Sequence, residues 1–171
     1  MRLRAFVVRH RALVISGATL IVGLIVFVLV WFQPQKLFIE KTVNEAVPMA
    51  TVEPSASTPA MTEVASGAFR SLEHRTTGRA RLLRLADGSL VLRLERLDTS
   101  NGPDLRVYLS ELSSDAGWHA YGSRYLDLGG LKGNRGSQNY RIPAGTDVSR
   151  FRSAVIWCRR FKVGFGVAAL S

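Results

Sequence analysis

The 171-residue sequence predicts an all-β fold, an antiparallel β-sandwich of about seven or eight strands, set behind one N-terminal apolar helix. Three observations predict it. From Gly67 to Ser171 no helical spacing of apolar residues is sustained. Two alternating runs, Arg79–Leu85 and Leu90–Leu97, flank Asp87-Gly88, the pattern of a hairpin closed by a tight turn. Glycines and turn dipeptides then recur at short spacing, cutting the rest into strand-length pieces. Nothing in the pattern fixes closure into a barrel, so a sandwich is expected.

The N-terminal element is read from charge and length. Residues 1–12 form a basic flank, with Arg2, Arg4, Arg9 and Arg11 and no acid. Residues 13–32 carry no charge, and at about 1.5 Å rise per residue they reach roughly 30 Å, the hydrocarbon thickness of a bilayer. Trp31 and Phe32 close the run, as aromatics do at a membrane interface. A cleaved signal peptide fits less well, because the exit Trp31-Phe32-Gln33-Pro34-Gln35 offers no small-residue cleavage site. A lipoprotein anchor would need a cysteine near the N-terminus, and there is none. The positive-inside rule places the N-terminus in the cytoplasm. The chain beyond Phe32 is expected to be extracytoplasmic (periplasmic or cell-surface), held by a single-pass signal anchor.

Residues 33–66 shift to Pro, Thr, Ser, Ala, Val and Glu, with Pro48, Pro54 and Pro59 spaced along them. Such a stretch cannot bury a core and is read as a tether, with a short helix through Lys36–Val47 as the alternative. Residues 67–171 are enough for one modest core. The strand candidates are Phe69–Arg75, the two runs of the hairpin, Leu105–Leu109, Tyr125–Leu128, Gln138–Ile142, Ala154–Trp157 and Val163–Leu170. In the last, Val163, Phe165, Val167 and Ala169 are expected on one face, and Gly164, Gly166 and Ala168 on the other.

Chemistry centres on Cys158, the single cysteine, followed by Arg159, Arg160 and Lys162. It cannot close an intrachain disulfide, so it is a buried hydrophobe, a reactive thiol or a ligand. Neighbouring cations favour the thiolate, the form active in redox and metal chemistry. No Cys-x-x-Cys or His-x-x-x-His spacing exists, and no hydrolase triad stands out, so no zinc site and no hydrolytic activity are expected. The head carries 17 Lys and Arg against 9 Asp and Glu, a net charge of +8. Much of it alternates outward from strands at Arg79, Arg81, Arg93 and Arg106, as on a solvated face. Outside the cytoplasm such charge suits an acidic redox protein, anionic lipid or an acidic envelope polymer, and nucleic acid is not expected. The loop from Gly129 to Gly136 lacks the Walker spacing and is read as turn-shaped, with Lys132, Arg135 and its amides available to an anion.

Asn101-Gly102-Pro103-Asp104-Leu105-Arg106-Val107-Tyr108-Leu109-Ser110 is followed by a second motif from Asp127 to Tyr140. Ile142-Pro143 comes next, and then Val155-Ile156-Trp157-Cys158-Arg159-Arg160-Phe161 with Val163 and Phe165-Gly166. With Gly67, Phe69, His74, Gly78 and Ala80, this order resembles the DM-thirteen domain family over about residues 67–171. The resemblance implies a small β-sandwich-type domain of extracytoplasmic and membrane-attached proteins. In some relatives that domain accompanies DOMON domains and b-type cytochrome membrane domains. It further implies electron transfer, with the cysteine matching Cys158 as the redox group. His74, early in the domain and part of the matched motif, is the candidate second ligand or proton partner, with a structural histidine as the alternative. Haem or copper would be compatible cofactors, though the sequence requires neither. The single span has no paired histidines for haem, so the membrane partner would be another polypeptide. The expected function is a non-catalytic redox or electron-transfer accessory acting through Cys158 with a partner protein. The alternative is a binding or scaffolding module with a structural Cys158, its cationic surface (Arg106, Lys132, Arg135, Arg159 and Arg160) meeting an anionic partner or the cell envelope.

Overall fold

The computed structural model describes residues 10–31, 33, 39–48 and 61–171. Arg2, Arg4, Arg9, Phe32, Lys36 and the tether prolines Pro54 and Pro59 lie outside the described residues. Helix α1 (Arg11–Trp31) is apolar on all sides, and no residue in it is buried. It is long and apolar enough to cross a membrane.

The head is a nine-stranded sheet: β1 (Thr42–Asn44), β2 (Met61–Ser71), β3 (Thr76–Leu85), β4 (Leu90–Thr99), β5 (Leu105–Ser110), β6 (Tyr125–Gly130), β7 (Arg135–Arg141), β8 (Ser153–Cys158) and β9 (Val163–Ala169). The order across it is β1-β7-β4-β3-β2-β9-β8-β5-β6. Every pairing is antiparallel except β1 with β7. Seven of the eight predicted strands are present near their expected bounds; of Phe69–Arg75 only residues 69–71 are strand, the end of β2, and residues 72–75 bend into β3. The β3–β4 hairpin turns at Asp87-Gly88 with Gly88 at φ +80°.

The separate sheets of a sandwich are not what forms. β2 pairs with β3 from Met61 to Ala68 and with β9 from Phe69 to Ser71, so one strand belongs to both halves and the sheet is continuous and curled. The handover comes just after Gly67, where a Cβ would sit 1.8 Å from the Ala169 carbonyl oxygen. Only glycine permits that approach. The curl brings the halves together around one apolar core: Leu82, Leu92, Leu94 and Tyr140 from one side, Val107, Leu109, Ile156 and Cys158 from the other.

Two strands lie inside the segment expected to be a tether. β2 begins at Met61, and β1 occupies Thr42–Asn44 where a helix through Lys36–Val47 was the alternative. Glu45 fastens this stretch to the sheet, its carboxylate accepting from Lys132 Nζ (2.7 Å) and from the Asn139 amide (2.7 Å). Arg93, expected on a solvated face, is only 6 % exposed. The segment carrying β1 covers it, its guanidinium donating to the Glu45 and Ala46 carbonyls and to Asn139. Glu95 lies between Arg93 and its cross-strand neighbour Arg81, accepting from both at 2.9 and 3.0 Å.

Candidate functional site

β8 lies between β5 and β9, and all six of its residues are buried. Ala154, Ile156 and Cys158 point to the main core, while Val155 and Trp157 pack in a second cluster on the outer face. Cys158 ends the strand, opposite Leu105 on β5 and Val163 on β9. It is 0 % exposed and belongs to the main hydrophobic cluster. The next residue turns outward: the Arg159 amide donates to the Asp104 carbonyl (3.0 Å), and Nε donates to the Asp104 carboxylate (2.8 Å). The Asn101-Gly102-Pro103-Asp104 turn is thereby latched to the turn that follows the cysteine. Gly102 lets it press close, because a Cβ there would meet the Leu105 and Phe165 side chains at 3.1–3.3 Å.

Phe165 is the extra residue of a β-bulge: Ile156 pairs with Gly166 and Trp157 with Gly164, so Phe165 has no register partner on β8. The bulge reverses the alternation expected for β9. Val163, Phe165 and Ala168 reach the main core, whereas Val167 joins the outer cluster. The β9 glycines are closely covered, Gly164 by Leu72 and the Trp118 carbonyl and Gly166 by Thr76.

His74 stacks on the Phe165 ring, with centroids 3.8 Å apart and a 32° tilt. Burial lowers its pKa from the usual 6.5. It borders a recess of about 350 Å³ shared with Arg75, Asp98, Asn101 and Arg135. The imidazole therefore meets Phe165, while Cys158 lies in the apolar core that Phe165 helps to form. Among the described residues no group of three or more His, Cys, Asp or Glu side chains is placed to hold a metal ion.

The five candidate surface cations all have partners within the chain. Arg106 pairs with Asp127 (2.8 Å), Arg159 with Asp104 (2.8 Å), and Lys132 with Glu45 (2.7 Å) while lying over the Tyr140 ring. Arg135 bridges Glu40 (2.6 Å) and Asp98 (3.2 Å). Arg160 lies over the Trp31 ring, 5.4 Å from its centroid, and donates to the Trp31 carbonyl. In the loop before β7, the Lys132 and Gly133 amides are spent on Gln138 Oε1 (3.1 and 3.2 Å).

Some of the residues that build this end give little signal in the sequence. Gln138 is fully buried; it also donates to the Gly133 carbonyl (2.5 Å) and accepts from the Tyr140 hydroxyl (2.7 Å). Asn134 accepts from the Lys41 amide (2.7 Å) and donates to the Thr99 carbonyl (3.0 Å), joining β1 to β4. Thr76 and Thr99 share a buried hydroxyl contact at 2.8 Å. Polar residues in alternating strands read as solvated; the dense run from Asp127 to Tyr140 marks Asn134 and Gln138, and nothing in the pattern marks Thr76 and Thr99. On the outer face Tyr108 stacks against Tyr125 (4.0 Å) and lies 6.3 Å from Trp157.

A family model described as electron transfer DM13 matches residues 68–170. No curated protein and no solved structure matches the chain.

Proposed function

The chain belongs to the electron-transfer DM13 family, and on that premise we propose that it is a membrane-anchored redox accessory carrying electrons through Cys158. In this reading α1 spans the membrane with its N-terminus in the cytoplasm, and the head works on the extracytoplasmic side. Cys158 works by thiol–disulfide exchange: its thiolate attacks a partner protein's disulfide, forming a mixed disulfide as one partner thiolate leaves. A second partner's thiolate then attacks the Cys158 sulfur, releasing the first partner's other thiolate, and its own second thiol closes a disulfide and returns Cys158 to the thiol. The supporting observation is convergence: the motifs of the matched region meet around this thiol. Leu105 and Val163 flank it, Phe165 packs in its core, and the Asp104–Arg159 pair latches the turn beside it. A thiol that is 0 % exposed is protected at rest, so the latch must open for a partner to reach it. His74 acts on the Phe165 side of the site as a proton partner.

The test is redox equilibration of the full chain in glutathione buffers of graded potential, followed by acid trapping and mass analysis. The expected result is a sigmoidal conversion of Cys158, reached faster in Asp104→Asn, which loosens the latch. A thiol unmodified over the whole range until denaturant is added would overturn the reading.

The apolar burial of Cys158 favours one other reading, a binding or scaffolding module with a structural cysteine. Under it, charge reversal at Arg106, Lys132 or Arg135 weakens attachment to an anionic partner or envelope component. Cys158→Ser leaves that attachment intact.

A further inference from the structure

Several turns gather at the Cys158 end of the head. β5 runs antiparallel to β8, so Leu105 and the Asn101–Asp104 turn lie beside Cys158 and the β8–β9 turn (residues 159–162). The loop of residues 111–124 leaves β5 at the opposite end and runs back over Trp157, where a Gly122 Cβ would lie 2.9 Å from the indole. Its tip then meets the β8–β9 turn: the Gly164 amide donates to the Trp118 carbonyl (2.9 Å), and His119 Nδ1 lies 3.2 Å from the Lys162 carbonyl. The surface so formed is mixed. Trp118 is 39 % and Phe161 45 % exposed, beside Arg159, Arg160 and Lys162. Asp104 neutralises Arg159, so the net positive charge of the turn comes from Arg160 and Lys162.

We propose that this face, the β8–β9 turn with the loop tip Gly117–His119, rests on the anionic phospholipid headgroups of the bilayer that α1 spans. The inference rests on the reading of α1 as a membrane span. Three observations select lipid as the occupant. Ile39 is only eight residues along from Trp31, so at about 3.3–3.6 Å per residue the head lies within roughly 29 Å of the helix end. That chain enters at this same end, because Asn101 Nδ2 donates to the Ile39 carbonyl (2.8 Å). Arg160 already touches Trp31, the aromatic that ends the apolar helix. Exposed aromatics interleaved with cations are also the composition of a headgroup interface, where ring bodies enter the boundary and ammonium or guanidinium groups meet phosphate. The Cys158 end then faces the bilayer, and the electron partner is one whose redox group lies at the membrane surface.

The experiment uses the full chain in a Cys158→Ala background, reconstituted into phosphatidylcholine vesicles with or without phosphatidylglycerol. A spin label is placed at Gly117→Cys, where a Cβ meets nothing within 4 Å, or at Ala144→Cys, exposed on the β7–β8 loop at the other end. Relaxation by a water-soluble nickel chelate and by lipid-soluble oxygen reads the depth of each label. The expected result is several-fold lower nickel access at 117 than at 144, stronger with phosphatidylglycerol and abolished by Arg160→Glu with Lys162→Glu. Equal nickel access at the two sites in protein that survives an alkaline wash would overturn the docking alone. So would protection at 117 that ignores the charge reversal. Release of the protein by that wash would overturn the membrane reading, and the docking with it.

Discussion

Replacing Cys158 by Ser and, separately, by Ala tests its surroundings independently of any redox role. The thiol is 0 % exposed in a cluster made of Leu, Val, Phe, Ile, Ala and Tyr side chains. A hydroxyl placed there without a partner costs about 1–3 kcal/mol relative to an apolar group. Alanine loses only the sulfur's contacts and leaves a small cavity, about 1 kcal/mol. The two effects add in Ser, which also loses sulfur contacts, so the expected order of stability is native, then Ala, then Ser. For a head of this size 1 kcal/mol moves Tm by about 4–8 °C, so Ser should melt on the order of 10 °C below native. Near-ultraviolet circular dichroism, which senses the packing of Trp157 beside Cys158, follows the melt of the full chain in detergent. Serine equal to or above alanine would refute the apolar site and show that the sulfur has a polar neighbour or water.

Two more expectations concern the attachment of β1. Gly136 has φ +98°, and a Cβ there would lie 2.1 Å from the Val43 carbonyl oxygen. Gly136→Ala should therefore peel β1 from β7, and hydrogen exchange would show loss of protection at the Glu45 amide, which now donates to the Ser137 carbonyl (2.8 Å). Glu45 has its pKa lowered from 4.5 by the hydrogen bond from Lys132, with burial opposing and the Asn139 amide assisting. A depressed carboxylate contributes stability that is present above its unfolded pKa and lost as pH falls through the folded one. Protection of the Asn139 amide should fall on acidification below about pH 4.5, earlier than in β8, and Glu45→Gln should remove that pH dependence.

Local features were legible where side chains alternate over six or more residues. The β3–β4 hairpin follows from its leucines and Asp87-Gly88, and β8 from an apolar run that buries on both faces. β1 was not legible. Three residues, Thr42-Val43-Asn44, carry no period, and their anchors are distant: the register with Arg135–Ser137 and the side chains of Asn134 and Lys132. The sandwich expectation failed for a related reason. Whether two halves stay separate depends on which neighbours β2 takes, and no residue pattern within β2 reports that it takes β3 and then β9. At the site, parity with Ala154 and Ile156 places Cys158 inward, whereas the adjacent arginines pointed to an activated thiol. The strand ends between them, and Asp104 draws Arg159 outward. A single bulge at Phe165 was enough to reverse the faces of β9.

The double allegiance of β2 also constrains biogenesis. Its second half is completed only by β9, the last of the nine strands, so the earliest long strand waits for the latest. A chain emerging from a ribosome or threading a translocation pore can form the local β3–β4 hairpin early. The sheet cannot close until the residues of β9 have cleared. Pairing across that sequence separation is entropically slow, and until then the edge of β2 stays open to chaperones or to another nascent chain. Maturation of the thiol site, whose strand β8 pairs with β9, is thus deferred until β9 itself has been made.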